Sequence, residues 1–421
     1  MINKTIAIVG LWHLGCVTAA ALSESFQHII GFDEDREKVD QLNLGKAPLF
    51  EPNLNELITK GISANRLEFV SDIEALAKAD YVWITIDTPI DENDVCSLDS
   101  IEAIMQKLSD LPIKNYMISS QVPIGTTEKL LTDAQIRNGS KIAYIPENLQ
   151  LGKAIEKFQN PDMTVIGAND RSYTKEIADL LSSIDKNPIL CDLRTAELAK
   201  HAINSFLATS ISFSNQLSDI AVAMQADAYQ VVEIMKKDQR ISNRMPLLPG
   251  PWFSGGTLAR DIRSLQEIGR KTNKKTSLFD TVIAINEDRI DTLFKRIEAF
   301  TSLENKRVAL LGLVYTEGTD TLRRSPGLQV IQYLNQYKAA ITAFDPMVKE
   351  TALNIELFDT AIGAIQNADV VLILKSGCAK GISVQDISEA MNGNILMDLW
   401  HLYEQNEVKN TNLIYLKPGC E

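Results

Sequence analysis

Six residues near the start of the chain, Gly10-Leu11-Trp12-His13-Leu14-Gly15, do most to limit how it can fold. An apolar β-branched run, Thr5 to Val9, precedes them and a helical stretch, Val17 to Ser25, follows. A second strand-like run, His28 to Phe32, then ends at Asp33. Strand, glycine turn, helix and strand ending in an acid make a β-α-β unit of the kind that binds dinucleotides. The helix N-terminus offers free N–H groups and the positive end of its dipole to a pyrophosphate. Asp33 is placed to accept hydrogen bonds from the adenosine ribose and to repel a 2′-phosphate, which favours NAD over NADP. Trp12 stands where the fingerprint has its second glycine, so its side chain must turn away for a pyrophosphate to approach the backbone.

Further strands alternate with helices. Tyr81 to Ile86 ends at Asp87-Thr88-Pro89, and Tyr116 to Ser119 runs into Ser120-Gln121-Val122-Pro123. The pattern returns late in the chain, with Arg307 to Val314 carrying Gly312 and Ala340 to Phe344 ending at Asp345-Pro346. Ala79-Asp80-Tyr81-Val82 is echoed by Ala368-Asp369-Val370-Val371. Between the two regions, Leu193 to Met224 has neither proline nor glycine and repeats apolar residues at helical spacing. Residues 243–256 are rich in proline and glycine, and 301–306 reads as a linker. The expected class is α/β: two Rossmann-like, doubly wound parallel-sheet domains joined by a central helical domain with a long connecting helix. The expected boundaries are 1–190, 191–300 and 301–421.

Composition narrows the function. A net charge of −13 argues against nucleic acid or an anionic membrane as the main partner. The five cysteines, Cys16, Cys96, Cys191, Cys378 and Cys420, are scattered and read as reduced cytosolic thiols. The four histidines are equally dispersed, so no metal site is expected. The first residues run directly into a strand and no apolar run is long enough to span a membrane, so a cytoplasmic protein is expected.

Several segments resemble the UDP-glucose/GDP-mannose dehydrogenase family, in that family's order and over nearly the whole chain. They are Lys38, Leu42-Asn43-Leu44-Gly45, Pro48 and Glu51-Pro52; Thr88-Pro89; Ser120 to Thr126; and Pro146-Glu147-Asn148-Leu149-Gln150-Leu151-Gly152. The central helix carries Glu197, Lys200, Asn204 and Ala208 at the family's spacing. Arg240-Ile241 precedes a loop, Trp252-Phe253-Ser254-Gly255-Gly256-Thr257-Leu258-Ala259-Arg260-Asp261, that resembles the family's catalytic loop. The last domain follows with Leu311-Gly312-Leu313-Val314-Tyr315-Thr316, Thr319 and Arg323-Arg324-Ser325-Pro326.

The resemblance implies oxidation of a sugar C6 hydroxyl on a nucleotide sugar, with NAD as acceptor. It implies catalytic roles for Glu147, Lys200, Asn204, Thr257 and Asp261. Lys200 and Asn204 lie four apart, on one helix face, and can converge on one oxyanion. Cofactor contacts are implied for Gly10, Trp12, His13, Leu14, Gly15, Asp33, Lys38, Thr88, Ser120, Gln121, Arg260 and Arg323. Substrate contacts are implied for Asn148, Leu149, Lys200, Asn204, Arg240, Phe253, Gly256 and Tyr315, with Arg240 reaching the substrate of a neighbouring subunit of a homodimer or larger homo-oligomer.

The family's nucleophilic cysteine is Thr257 here. Its cysteine adds to the aldehyde formed by the first hydride transfer, and the adduct yields a thioester after the second. A threonine hydroxyl is hardly ionised at neutral pH, and no histidine in the matched motifs is placed as its base. Gln121, Asn148 and Thr316 also replace the family's threonine, phenylalanine and substrate-facing lysine. Three readings follow: a dehydrogenase that stops at the aldehyde or oxidises its hydrate, a redox-neutral modification with retained cofactor, and a non-catalytic binding homologue.

Overall fold

The computed structural model describes residues 1–89, 91, 96–132, 139–147 and 149–420, and the backbone of 133. The chain divides into two units, Met1–Ala202 and Ile203–Glu421, and the division falls within one helix, Leu193–Ala223.

The first unit is built on a sheet of eight strands: β1 (Ile2–Val9), β2 (Phe26–Phe32), β3 (Leu67–Val70), β4 (Tyr81–Ile84), β5 (Asn115–Ile118), β6 (Lys141–Tyr144), β7 (Val165–Ala168) and β8 (Ile189–Cys191). Their order is β3-β2-β1-β4-β5-β6-β7-β8. All neighbours are parallel except β6 and β7, an antiparallel pair that the expectation of a wholly parallel sheet did not include. Ile6, Ala7, Ile8 and Val9 are buried, and the period of two splits them between the faces. Ile6 and Ile8 pack with Cys16, Val17 and Ala20 of the helix His13–Leu22. Ala7 and Val9 pack with Ile101, Ile104 and Met105 of the helix Asp99–Leu108.

That first helix begins at His13, four residues before the start expected from apolar periodicity. Its entry lies inside the glycine turn itself, which sets its unpaired N–H groups directly over the end of β1.

The second unit repeats the plan with β9 (Arg307–Leu311), β10 (Ala340–Phe344), β11 (Glu356–Leu357), β12 (Val370–Ile373), β13 (Ile395–Asp398) and β14 (Ile414–Leu416), ordered β11-β10-β9-β12-β13-β14 and all parallel. The sequence echoes have a shared cause. Asp80 accepts from Thr5 N at 2.9 Å and donates its own N–H to Thr5 O, while Asp369 does the same with Arg307 at 3.0 Å. Each aspartate registers the start of the fourth strand of its plan against the first. At the other strand end, Gly10 N donates to Phe32 O and Gly312 N to Phe344 O, both at 2.9 Å. The two glycines have φ of +95° and +105°, a region that side chains with a Cβ rarely enter.

Ahead of this sheet lie the remainder of the long helix and the helices Ala228–Met235, Leu258–Lys271 and Ser277–Glu298. Residues 243–256 form no helix or strand, as their composition suggested. Side chains hold this loop by its backbone. Ser214 donates to Leu247 O, Asn215 to Pro251 O at 3.2 Å, and Arg289 to Gly250 O at 3.4 Å. Asn286 grips Phe253 at both its N–H (2.8 Å) and its carbonyl (2.9 Å). A buried loop without ladder partners needs such donors and acceptors.

Candidate active site

The dinucleotide turn is tightly built. A Cβ on Gly15 would come within 1.9 Å of Gly10 O, so helix and strand meet this closely only because residue 15 is glycine. Trp12 is the N-cap residue of the helix, with φ −99° and no side-chain cap hydrogen bond, and it is 47% exposed. Its indole therefore points away from the core, and its negative φ needs no glycine. The helix's first turn contains no acidic residue, which leaves its N–H groups open to an anion.

Asp33 Oδ2 accepts from Leu11 N at 2.9 Å and from Lys38 Nζ at 2.8 Å, while Oδ1 accepts only a 3.1 Å bond from Asp35 N. The carboxylate is thus fixed over the end of β2 with one oxygen able to accept ribose hydroxyls. Lys38 holds the acid rather than standing free. Ser120 is buried, and its Oγ has no hydrogen-bond partner, as expected of a hydroxyl reserved for a polar ligand. Thr88 is turned inward, donating to Gln121 O at 2.9 Å. These features fit a dinucleotide with a ribose diol.

His13 Nε2 lies 2.9 Å from Glu51 Oε2, a hydrogen-bonded contact that reaches beyond the turn. Glu51 also accepts from Gly152 N (2.9 Å) and Ala154 N (2.8 Å). One buried carboxylate thereby ties the nucleotide turn to the segment that carries Glu147. Asn148 lies outside the described residues, and Leu149 packs against the first core. Burial raises the Glu147 carboxyl to about 7, and the nearby Lys200 ammonium offsets part of the rise. The residue as a whole keeps some solvent contact, so the rise reflects enclosure of its acidic end.

The turn of Lys200's helix is braced in the same way. Glu197 is fully buried and accepts from Gly125 N (2.5 Å) and Thr127 N (2.9 Å), at the start of the helix Thr126–Asp133. His201 Nε2 lies 3.0 Å from Val122 O, which makes Nε2 the protonated nitrogen and leaves Nδ1 to accept from Gln121 Nε2 at 3.5 Å. Glu51, Glu197 and His201 were not singled out as site residues from sequence. Their places inside the matched segments, Glu51 before Pro52 and Glu197 three residues before Lys200, are the signal that could have found the first two.

In the second unit, Asn204 Nδ2 donates to Asp261 Oδ2, and both residues are buried. Thr257 is the N-cap residue of the helix Leu258–Lys271, its hydroxyl makes no cap hydrogen bond, and Asp261 N donates to Thr257 O. Arg260 Nε lies 3.6 Å from Asp261 Oδ1, beyond hydrogen-bond range, and has no hydrogen-bond partner although buried. Gly255 (φ +78°) sits against Tyr315, where a Cβ would come within 2.5 Å of the ring, and its N–H donates to Arg324 O. Gly256 follows between this contact and Thr257. Arg323 is exposed beside Arg324. Two expected substrate residues stand apart. Phe253 packs with Ala208, Ile262, Val282 and Ile283, and Arg240 is 88% exposed and chelates Asp238 through two hydrogen bonds of 2.6 and 2.9 Å. Among the described residues no group of His, Cys, Asp and Glu is arranged to hold a metal ion, and no helix is long and apolar enough to cross a membrane.

Three domain models of one family match the chain in order: the NAD binding domain over residues 4–185, the central domain over 194–288 and the UDP binding domain over 309–405. The UDP-glucose 6-dehydrogenase YwqF of Bacillus subtilis is 29% identical over 428 residues, 98% of this chain and 97% of that protein. The UDP-glucose 6-dehydrogenase of Rickettsia bellii is 28% identical over 432 residues, covering 99% of each. A UDP-glucose dehydrogenase structure from Pyrobaculum islandicum superposes with a TM-score of 0.90 at 25% identity, covering 100% of this chain and 98% of that one. Matched in order by all three domains, the chain belongs to the UDP-glucose/GDP-mannose dehydrogenase family, whose first domain binds NAD.

Proposed function

We propose that this NAD-dependent nucleotide-sugar dehydrogenase oxidises the C6 hydroxyl of a UDP- or GDP-hexose and releases the sugar at the aldehyde stage. The observation that carries the reading is the Glu147 carboxyl, raised to about 7 beside Lys200. A carboxyl titrating near neutral pH is suited to take a proton at working pH and return it. Bound NAD supplies the hydride acceptor. Glu147 takes the hydroxyl proton. Lys200 and Asn204 stabilise the negative charge that develops on the C6 oxygen. Asp261 holds the Asn204 amide so that its donor group is oriented. Thr257 stands at a helix N-terminus, where a thiolate would be stabilised, but its hydroxyl has no base beside it in the matched motifs, so no covalent adduct forms.

The chain also pairs with a second copy. On the long helix, Phe206, Phe213 and Ile220 repeat every seven residues and are 59%, 49% and 62% exposed. A heptad-spaced apolar stripe suits packing against its own symmetry mate.

The test is a screen of UDP- and GDP-hexoses for NADH formation, with mass analysis of the sugar product. An aldehyde, trapped as its oxime, is expected. Absence of NADH with every nucleotide sugar, despite NAD binding, would overturn the proposal.

A further inference from the structure

The duplicated sheets differ at one place that bears on the catalytic loop. In the first sheet, the residue over the Gly10 turn is Ile86, whose Cγ1 would lie 2.7 Å from a Cβ on that glycine. In the second, the corresponding neighbour of Gly312 is Lys375, whose Cβ and Cγ would both lie at 2.5 Å. An aliphatic side chain meets the packing need in one case, so packing alone does not call for an ammonium in the other.

Lys375 is 8% exposed, and its Nζ donates to Tyr315 O at 2.6 Å. Burial opposes its charge, while Glu317 and Asp345 favour it. Both carboxylates have other partners. Asp345 accepts from Leu313 N (2.8 Å) and Val314 N (3.1 Å), and Glu317 accepts from Ser376 Oγ (3.0 Å) and Gly377 N (2.9 Å). The segments after β9 and after β12 are therefore stitched twice, by Lys375 to Tyr315 and by Glu317 to Ser376 and Gly377. Tyr315 N is held in turn by Thr321 O at 2.7 Å. The ring so fixed is the one against which Gly255 closes, two residues before Thr257.

We propose that Lys375 is a positioning residue for the catalytic loop: it anchors the Tyr315 backbone, the Tyr315 ring seats Gly255, and Gly255 sets where the start of the helix that carries Asp261, the partner of Asn204, stands. The consequence for turnover rests on the proposed function; the consequence for the loop does not. Small displacements of reacting groups are enough to slow chemistry strongly.

The test compares Lys375→Met and Lys375→Arg with the unmodified protein. Hydrogen exchange is followed at the Gly255 amide, which donates to Arg324 O, together with NAD binding by calorimetry and NADH-forming kinetics on a nucleotide sugar. Lys375→Met should speed exchange at residues 252–257 about tenfold while leaving the β9 and β12 amides protected. It should lower kcat about tenfold with unchanged NAD affinity. Lys375→Arg, which can still donate to the Tyr315 carbonyl, should restore most of both. Exchange and kcat within twofold of the unmodified protein, or a uniform rise in exchange across the second sheet, would overturn the proposal. If the unmodified protein turns over no nucleotide sugar, the proposed function fails, and the exchange result still decides the role of Lys375.

Discussion

Replacing Glu147 by glutamine should make the protein more stable and less active at once, with a pH dependence of defined sign. The carboxyl titrates near 7 in the fold against an ordinary value of 4.5, so the folded state holds its proton more tightly than the unfolded chain. Below pH 4.5 both states are protonated and the residue adds no pH-dependent term. As pH rises through the window from 4.5 to 7, the unfolded chain releases the proton first and stability falls; above 7 the loss is complete. About two and a half units correspond to roughly 3 kcal/mol, an upper bound because the residue keeps some solvent contact. Glutamine has nearly the same shape and no charge to desolvate. Glu147→Gln should therefore unfold at the same temperature as the unmodified protein at pH 4.5, and at a higher one at pH 8. For a unit of this size the difference is on the order of 5 °C. Scanning calorimetry at both pH values measures it, and NADH formation measured in parallel should fall about a hundredfold or more. A variant less stable than the unmodified protein at pH 8, or a stability difference that does not change with pH, would refute the enclosed-carboxyl argument.

The same carboxyl predicts that kcat/KM of the unmodified protein rises with pH through about 7, since the base must be ionised to take the hydroxyl proton; a rate flat from pH 5.5 to 8 would speak against it. Lys200→Ala should lower turnover by about two orders of magnitude with NAD binding intact by calorimetry, the usual scale for losing an oxyanion donor. Asp33→Ala should narrow the preference for NAD over NADP in binding titrations, and it also frees the Lys38 ammonium, which then favours a 2′-phosphate. With Thr257 in place, about one NADH should form per sugar in a single pass, with a carbonyl product captured by hydroxylamine; two NADH and a carboxylate would show that water supplies the second tetrahedral form.

Much of the fold could be read in advance because parallel sheets bury both faces of their strands, which leaves short apolar runs ending at polar tips. The strand Ala340–Phe344 was read to the residue. The strands β3, β6, β7, β8, β11, β13 and β14 were not separately foreseen. Each is only two to four residues long, too short for an apolar run to separate a strand from a loop or a buried helix turn. The antiparallel turn of β7 against β6 is likewise silent in the sequence, since a four-residue apolar segment reads the same in either direction.

Motif matching proposes a set of site residues but carries no information on what each one does. Motif matching singled out positions that geometry cannot change, and a brace is as fixed as a catalyst. Asp80 and Asp369 looked like a repeated signature and serve to register strands. Glu51-Pro52 and Glu197 belong to the motifs that mark the family, yet each carboxylate is occupied by two backbone N–H groups of a loop. Those loops carry Glu147 in one case and Ser120 and Gln121 in the other. Two backbone donors fix each of these carboxylates to the loop it braces. Burial raises Glu147 as it raises Glu197, but what faces Glu147 is an ammonium, not a row of amides. What separates the proposed base from the braces is therefore the identity of the group opposite, which spacing along the chain does not record.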